Sequence, residues 1–382
     1  MIHQLVPMLH VSDAVGQHTM AVQDLLVARG LRSRVFVELE DPETAGRTEP
    51  FGAYPAVARP GDVLVYQFAT ASDLADQLVD RPETVVVNYH NTTPPECFAP
   101  WDNPLARHQV RARQQLGRLA GRSALGVAVS EVNRADLSAA GFRRTAVVPP
   151  VMSVPATAAA SRPGRTAGAV WLAVGRLAPN KAVEDAVAAL FAYRRIYDSA
   201  AVLEVVGRPA VPAYARALRR YAADLGLAGA VRFAGRVDDT ALAAAYDRAD
   251  VLVVTSEHEG FCLPVTEAMA RMVPVVAFRQ GALPEVLGDA GVLLDRKDPL
   301  EVAAAVHRLL TDGDWRRGRQ EAGRARLDVL GLAGAGDRLV DLLVAVHDGS
   351  PWPRWATAAH GGVPPGTGDG APGAAAPSPP AR

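Results

Sequence analysis

Two carboxylates frame the segment of this chain best suited to chemistry. Glu259 and Glu267 flank Gly260, Phe261, Cys262, Leu263 and Pro264, directly after the apolar run Val251 to Thr255. Pro264 fits the first turn of a helix. Ligands of open α/β sheets bind beyond the carboxyl ends of the strands, where a starting helix turns free N–H groups and a positive dipole end toward them. Gly260, Phe261, Cys262 and Leu263 are therefore expected to offer backbone donors to an anionic or hydroxylated ligand, with a carboxylate on each side for hydroxyls. Glycine at 260 would let that ligand approach the backbone. Taken alone, the two glutamates also read as a solvated loop residue and a helix-surface charge.

A second cluster is cationic. Gly175 and Arg176 follow the apolar run ending at Val174, and Lys181 stands five positions after the arginine. A planar guanidinium fork and a compact ammonium at a helix start would clamp a diphosphate. Of the 40 basic residues only Lys181 and Lys297 are lysines, so the choice of lysine at 181 counts as a signal; Lys297, inside DRKDP, reads as surface charge. His90, in Asn88-Tyr-His-Asn-Thr, ends another apolar run and reads as an active-site histidine or a buried hydrogen-bonded one. His10 is a weaker candidate. The triplet Asp312-Gly-Asp314 lies between two helical stretches and reads as a helix end and cap, not as a metal site.

Parallel α/β elements must hold these residues. Short Val- and Leu-rich runs alternate with Ala-rich helical stretches, as in sheets covered on both faces. Strands are expected at Ile2 to Met8, Arg34 to Glu38, Val63 to Phe68, Val85 to Tyr89, Leu125 to Val129 and Ala146 to Val148. A second series follows at Val170 to Val174, Val202 to Val206, Val231 to Phe233, Val251 to Thr255, Val273 to Ala277 and Gly291 to Leu294. The stretch from Asp41 to Pro60 is too polar and broken to assign. Small residues with Pro and Gly at 154–168 mark a linker, and two doubly wound domains in tandem are the simplest account.

Three ordered motifs carry a resemblance: Gly175-Arg176 with Lys181, Phe233-Ala-Gly235-Arg236-Val237, and Ser256-x-x-Glu259-Gly-Phe-x-x-Pro-x-x-Glu267-Ala-Met. Together they resemble the donor half of the retaining nucleotide-sugar glycosyltransferases of family four, over about Val170 to Leu294. The resemblance implies the GT-B fold, two facing Rossmann-like domains with the active site in the interdomain cleft. It implies residues 1–153 as the acceptor-side domain and 169–335 as the donor domain, with 336–348 as a helix bracing both; by its composition, 349–382 reads as a disordered Pro/Gly/Ala tail. By the same resemblance Arg176 and Lys181 contact the donor diphosphate, Glu259 the transferred sugar and Glu267 the ribose, while Gly235, Arg236 and Val237 lie near the base. His90 matches the family's active-site histidine. The family often has two glycines in the loop after strand one; this chain has only Gly16. A front-face transition state follows, in which the donor's own phosphate oxygen takes the acceptor proton, and no metal or other cofactor is required.

Composition narrows the partners. Ordinary apolar content, 49%, with a net charge of −1 excludes a dedicated nucleic-acid binder, which needs a broad positive field. Two distant cysteines support neither a disulfide framework nor a thiolate zinc site. No basic leader precedes an apolar stretch and no run of about 18 apolar residues occurs, so a cytoplasmic protein is expected. Between Asn103 and Ser123, Arg107, Arg111, Arg118 and Arg122 share one helical stripe opposite Leu105, Leu116 and Leu119, which predicts weak contact with the anionic inner face of a membrane or a phosphorylated acceptor. The leading expectation is a hexosyltransferase acting on a glycan, lipid-linked glycan or small metabolite. A nucleotide-sugar-binding protein, an epimerase or a phosphorylase of the same architecture are the alternatives. No G-x-G-x-x-G follows an early strand with an acidic residue about 20 positions on, which sets aside a nicotinamide dehydrogenase.

Overall fold

The structure, a computed structural model, describes residues 1–10, 13–151 and 168–357. The expected linker at 154–168, except Gly168, and the tail from 358 onward lie outside the described residues.

The N-terminal domain is built on β1 (Ile2–Met8), α1 (Ala14–Ala28), β2 (Val35–Leu39), β3 (Glu49–Pro50), β4 (Val63–Phe68), α2 (Asp73–Leu78), β5 (Thr84–Tyr89), α3 (Pro95–Phe98), α4 (Asn103–Ala120), β6 (Leu125–Ala128), α5 (Glu131–Ala139) and β7 (Thr145–Val147). The C-terminal domain runs through β8 (Val170–Val174), α6 (Val183–Ile196), β9 (Val202–Val206), α7 (Pro212–Asp224), β10 (Val231–Gly235), α8 (Asp239–Arg248) and β11 (Val251–Val254). It continues with α9 (Leu263–Ala270), β12 (Val275–Phe278), α10 (Leu283–Leu287), β13 (Val292–Leu294), α11 (Pro299–Thr311) and α12 (Gly313–Leu330). Both sheets are parallel, in the orders β3-β2-β1-β4-β5-β6-β7 and β10-β9-β8-β11-β12-β13. Each order reverses beside its first strand, at β1/β4 and β8/β11, and these switch points are where such sheets open a ligand crevice.

Strand residues are buried on both faces: Leu5 and Val65 on opposite faces of one sheet, Trp171 and Leu172 on opposite faces of the other. Each fully buried large aliphatic side chain contributes about 1.5–3 kcal/mol. Helix starts follow their caps. Asp13, Asp102 and Ser130 accept N–H bonds at the starts of α1, α4 and α5, each worth about 1 kcal/mol. Asp312 ends α11 and caps α12 by accepting from Trp315 N–H at 3.0 Å.

The chain then returns to the first domain. Helix α13 (Ala335–Asp348) buries Leu339, Val340, Leu342 and Leu343 with Ile2, Val22, Leu26 and Val65. Packed structure continues past 349, where the tail is expected to begin. Trp352 and Trp355 lie on this same cluster around α14 (Arg354–Thr357), and the Arg144 guanidinium lies 5.2 Å from the Trp352 ring. Two tryptophans supply the apolar area that the Pro- and Gly-rich composition hid.

Candidate active site

Two loops at the carboxyl ends of β8 and β11 are stitched together. Glu257 N–H donates to Asn180 C=O at 2.9 Å, Asn180 Nδ2 to His258 C=O at 3.3 Å, and the Thr255 hydroxyl to Ala182 C=O at 2.8 Å. These bonds bring Lys181 Nζ to 2.6 Å from Glu259 Oε1, with Glu259 buried. Sequence reasoning singled out both ends of this pair and missed Asn180 and Thr255, whose side chains fix it. Arg176 stands beside it, reachable by solvent yet hemmed in by both domains. That hemming lowers its pKa, as does the neighbouring Arg208, while Asp13 and Glu259 oppose the shift.

Helix α9 starts as expected, with Pro264 in its first turn, and no side chain caps it. Cys262 holds the cap position at φ 77°. The side chains of Phe261 and Cys262 belong to the core and Leu263 packs against it, so these residues face a ligand only through their N–H groups. Burial raises the Cys262 thiol well above its ordinary range, which removes it as a nucleophile. Glu267 accepts the Tyr246 hydroxyl at 2.6 Å, and burial raises its carboxyl pKa.

Gly260 also meets the opposite domain. A Cβ there would lie 2.6 Å from Asn91 Cβ and 2.7 Å from Asn91 Nδ2, so the missing side chain lets the opposite domain approach closely. His258 Nε2 also lies 2.9 Å from Asn91 Oδ1. Asn91, next to His90, thereby joins the His258–Gly260 turn across the cleft. On α10, the Glu285 carboxylate accepts Glu131 N–H at 3.0 Å, closing the domains at the start of α5.

His90 is half-buried, and burial lowers its pKa to about 4. Behind it runs a chain of amides. Gln4 Nε2 donates to Thr19 C=O at 2.9 Å, Gln67 Nε2 to Gln4 Oε1 at 2.9 Å, and Gln67 Oε1 accepts from Asn88 Nδ2 at 2.9 Å. Gln67 Oε1 lies 2.7 Å from His90 Nε2, so the ring is neutral, donates through Nε2 and keeps Nδ1 as an acceptor. In the first turn of α1, Gly16 N–H donates to the capping Asp13 Oδ1 at 2.8 Å, and a Cβ on it would overlap the His10 carbonyl oxygen. Gly16 is thus needed for the turn itself. His10 pairs with Asp41 at 2.6 Å, outside the cluster around His90.

Gly235, at φ 72°, accepts Gly207 N–H at 2.9 Å. Arg236 reaches Glu43 of the first domain at 3.5 Å, and Val237 packs on the core of the second. Lys297 is anchored, 2.6 Å from Asp185 and 2.8 Å from Glu257. The arginine stripe of α4 is largely engaged within its own domain: Arg111 bonds Asp73 and Asp76, Arg118 bonds Asp76, and Arg122 bonds the carbonyls of Arg81 and Glu83. A depression of about 530 Å³ lined by His3, Arg32, Arg34 and Arg59 lies at the amino end of β1, remote from these residues.

Residues 168–312 match the family described as glycosyl transferases group 1. A D-inositol 3-phosphate glycosyltransferase of Geodermatophilus obscurus is 36% identical over 269 residues, 66% of this chain and 57% of that enzyme. The chain thus spans little more than half the length of that curated relative. A glycogen synthase of Mycobacterium tuberculosis is 37% identical over 171 residues, 44% of this chain and 40% of that enzyme. Among solved structures, sucrose-phosphate synthase of Thermosynechococcus elongatus superposes at TM-score 0.71 with 20% identity, covering 91% of this chain and 100% of that one. HepE of Anabaena in complex with UDP-glucose superposes at 0.67 with 18% identity, covering 90% and 99%. Among the described residues no helix is long and apolar enough to cross a membrane. With this motif-bearing domain set opposite a second parallel sheet, the chain has the GT-B fold, and its residues 168–312 are similar to the glycosyl transferases group 1.

Proposed function

We propose that the protein is a retaining, metal-independent hexosyltransferase that moves a sugar from a nucleoside diphosphate donor to a hydroxyl of a glycan, lipid-linked glycan or small metabolite. The Lys181–Glu259 pair beside Arg176 and the uncapped start of α9 is the observation that carries this reading. As the glycosidic bond breaks, negative charge grows on the leaving diphosphate. Arg176, Lys181 and the α9 dipole are already in place to stabilise it, and preorganised charge of this kind supplies much of the acceleration in many enzymes. Glu259, held by Lys181, orients sugar hydroxyls and does not attack. His90 Nδ1 accepts a hydrogen bond from a hydroxyl of the transferred sugar, and Glu267 takes the ribose hydroxyls through the oxygen not bonded to Tyr246. The name of the Geodermatophilus relative supports a phosphorylated polyol as one acceptor class. Membrane contact through α4 would rest on Arg107, which among the described residues has no ion pair.

Thermal melting of the wild type, Arg176→Ala and Lys181→Ala against uridine, guanosine and adenosine diphosphate sugars, paired with detection of released nucleotide, tests the reading. One donor should raise the wild-type melting temperature by several degrees, with acceptor-dependent nucleotide release. Each variant should lose that rise and about 10²–10³ in kcat. Stabilisation without release, with every acceptor class supplied, favours a binding protein; no rise with any donor overturns the diphosphate site.

A further inference from the structure

Strands β8 and β9 are neighbours, and each ends in a glycine followed by an arginine: Gly175-Arg176 and Gly207-Arg208. The two turns are in backbone contact. A Cβ on Gly207 would overlap the Gly175 carbonyl oxygen, and Gly207 takes φ 152°. Gly175 N–H donates to Val206 C=O at 2.9 Å, Leu177 N–H to Arg208 C=O at 2.9 Å, and Ala210 N–H to Leu177 C=O at 3.1 Å. Backbone bonding therefore fixes two arginines side by side at the carboxyl end of the sheet, where ligands bind.

Both side chains are exposed, and among the described residues neither has an ion pair or a side-chain hydrogen bond. The acidic groups facing Arg176 are Asp13 and Glu259, and Glu259 is already taken by Lys181. Several exposed guanidinia of this arginine-rich chain find carboxylates, as Arg29, Arg47, Arg111 and Arg118 do, whereas these two neighbours do not. Two like charges held together without a shared acid are suited to an incoming polyanion, and a guanidinium fork matches a phosphate. The sheet order β10-β9-β8-β11 sets Arg208 between Arg176 and the Gly235–Val237 segment.

We propose that Arg208 is a second guanidinium of the donor site, gripping the phosphate attached to the nucleoside, while Arg176 and Lys181 hold the phosphate attached to the sugar. The proposal rests on the nucleotide-sugar reading above. The test is calorimetric titration of wild type, Arg208→Ala, Arg208→Lys and Arg176→Ala with uridine, guanosine and adenosine mono- and diphosphates. For the preferred base, Arg208→Ala should weaken monophosphate and diphosphate alike by tenfold or more, and Arg208→Lys should recover part of the loss. Arg176→Ala should weaken the diphosphate while leaving the monophosphate within threefold. If Arg208→Ala binds both within twofold of wild type while Arg176→Ala loses the diphosphate, Arg208 lies outside the site and the nucleotide-sugar reading stands. Loss of diphosphate affinity alone in Arg208→Ala overturns the phosphate assignment. If wild type binds no nucleotide, that reading fails and this proposal with it.

Discussion

The two walls of the cleft hold their polar residues by different means. On the C-terminal wall, Arg176, Lys181 and Glu259 sit on short loops tied mostly by main-chain bonds, as between Glu257 and Asn180 or Gly175 and Val206. On the N-terminal wall, His90 is held by side chains bonded to side chains: Gln67 to Gln4, 63 residues away, and Asn88 to Gln67, 21 residues away. The first arrangement needs glycines and a few residues at fixed spacing, which makes a local motif. The second needs three amides on the central strands β1, β4 and β5, with no motif at all.

The sharpest way to break this contrast is Gly207→Ala. If backbone contact between two turns positions the donor side, a methyl group against the Gly175 carbonyl must force the turns apart. A loss of more than about 3 kcal/mol is expected, because neither backbone can move without breaking strand-end hydrogen bonds. Urea unfolding followed by tryptophan fluorescence measures it. A loss under about 1 kcal/mol would mean that the turns are soft and that the side chains, not the main chain, set the site.

This contrast also explains how much was readable from the residues alone. Both doubly wound sheets and most strands lay within a residue or two of their expected places, because period and composition report burial directly. Arg176, Lys181 and Glu259 came together as their motifs implied. Gln67 and Arg208 escaped notice: one looks like any polar strand residue, and the other depends on two glycines meeting across neighbouring strands. Gly260 was visible, but nothing local said that Asn91 of the other domain would lie against it. The segment from Asp41 to Pro60 resisted assignment because it holds only a two-residue strand and 3₁₀ turns at Pro42–Thr44 and Phe51–Ala56, all too short to show a period.

A smaller effect sharpens the acceptor side. His90 titrates near 4 in the folded chain and near its ordinary 6.5 when unfolded. Between those values the unfolded state binds a proton that the native state refuses, so the contribution is complete above about pH 6.5 and is lost as pH falls toward 4. Buried His18, also lowered, acts in the same direction, whereas Glu267 and Glu285, raised by burial, act in the opposite one. The difference between wild type and His90→Asn isolates the single group. From pH 7 to pH 4.5, wild type should lose about 1–3 kcal/mol more than the variant. Equal losses would mean that His90 is solvated and that the amide chain does not hold it.

The smallest expected effect concerns α4, where helical period alone leaves the partner of the stripe open. The spacing of Arg111 and Arg118 makes an exposed cationic stripe, but period cannot tell solvent from the carboxylates on a neighbouring helix. Here α2 supplies Asp73 and Asp76. Arg118 and Asp76 are both more than one-third exposed, and pairs of that kind contribute about 0.2–1 kcal/mol. Arg118→Gln should therefore lower stability by less than about 1 kcal/mol, the loss shrinking in 0.5 M salt as screening shortens the reach of the charge. Flotation with anionic vesicles should be the same for variant and wild type, since an arginine already bonded to Asp76 has little charge left to offer a lipid headgroup. A clear loss of flotation in Arg118→Gln at unchanged stability would reverse this assignment: the guanidinium would then be leaving Asp76 for the membrane, and α4 would be a docking face after all.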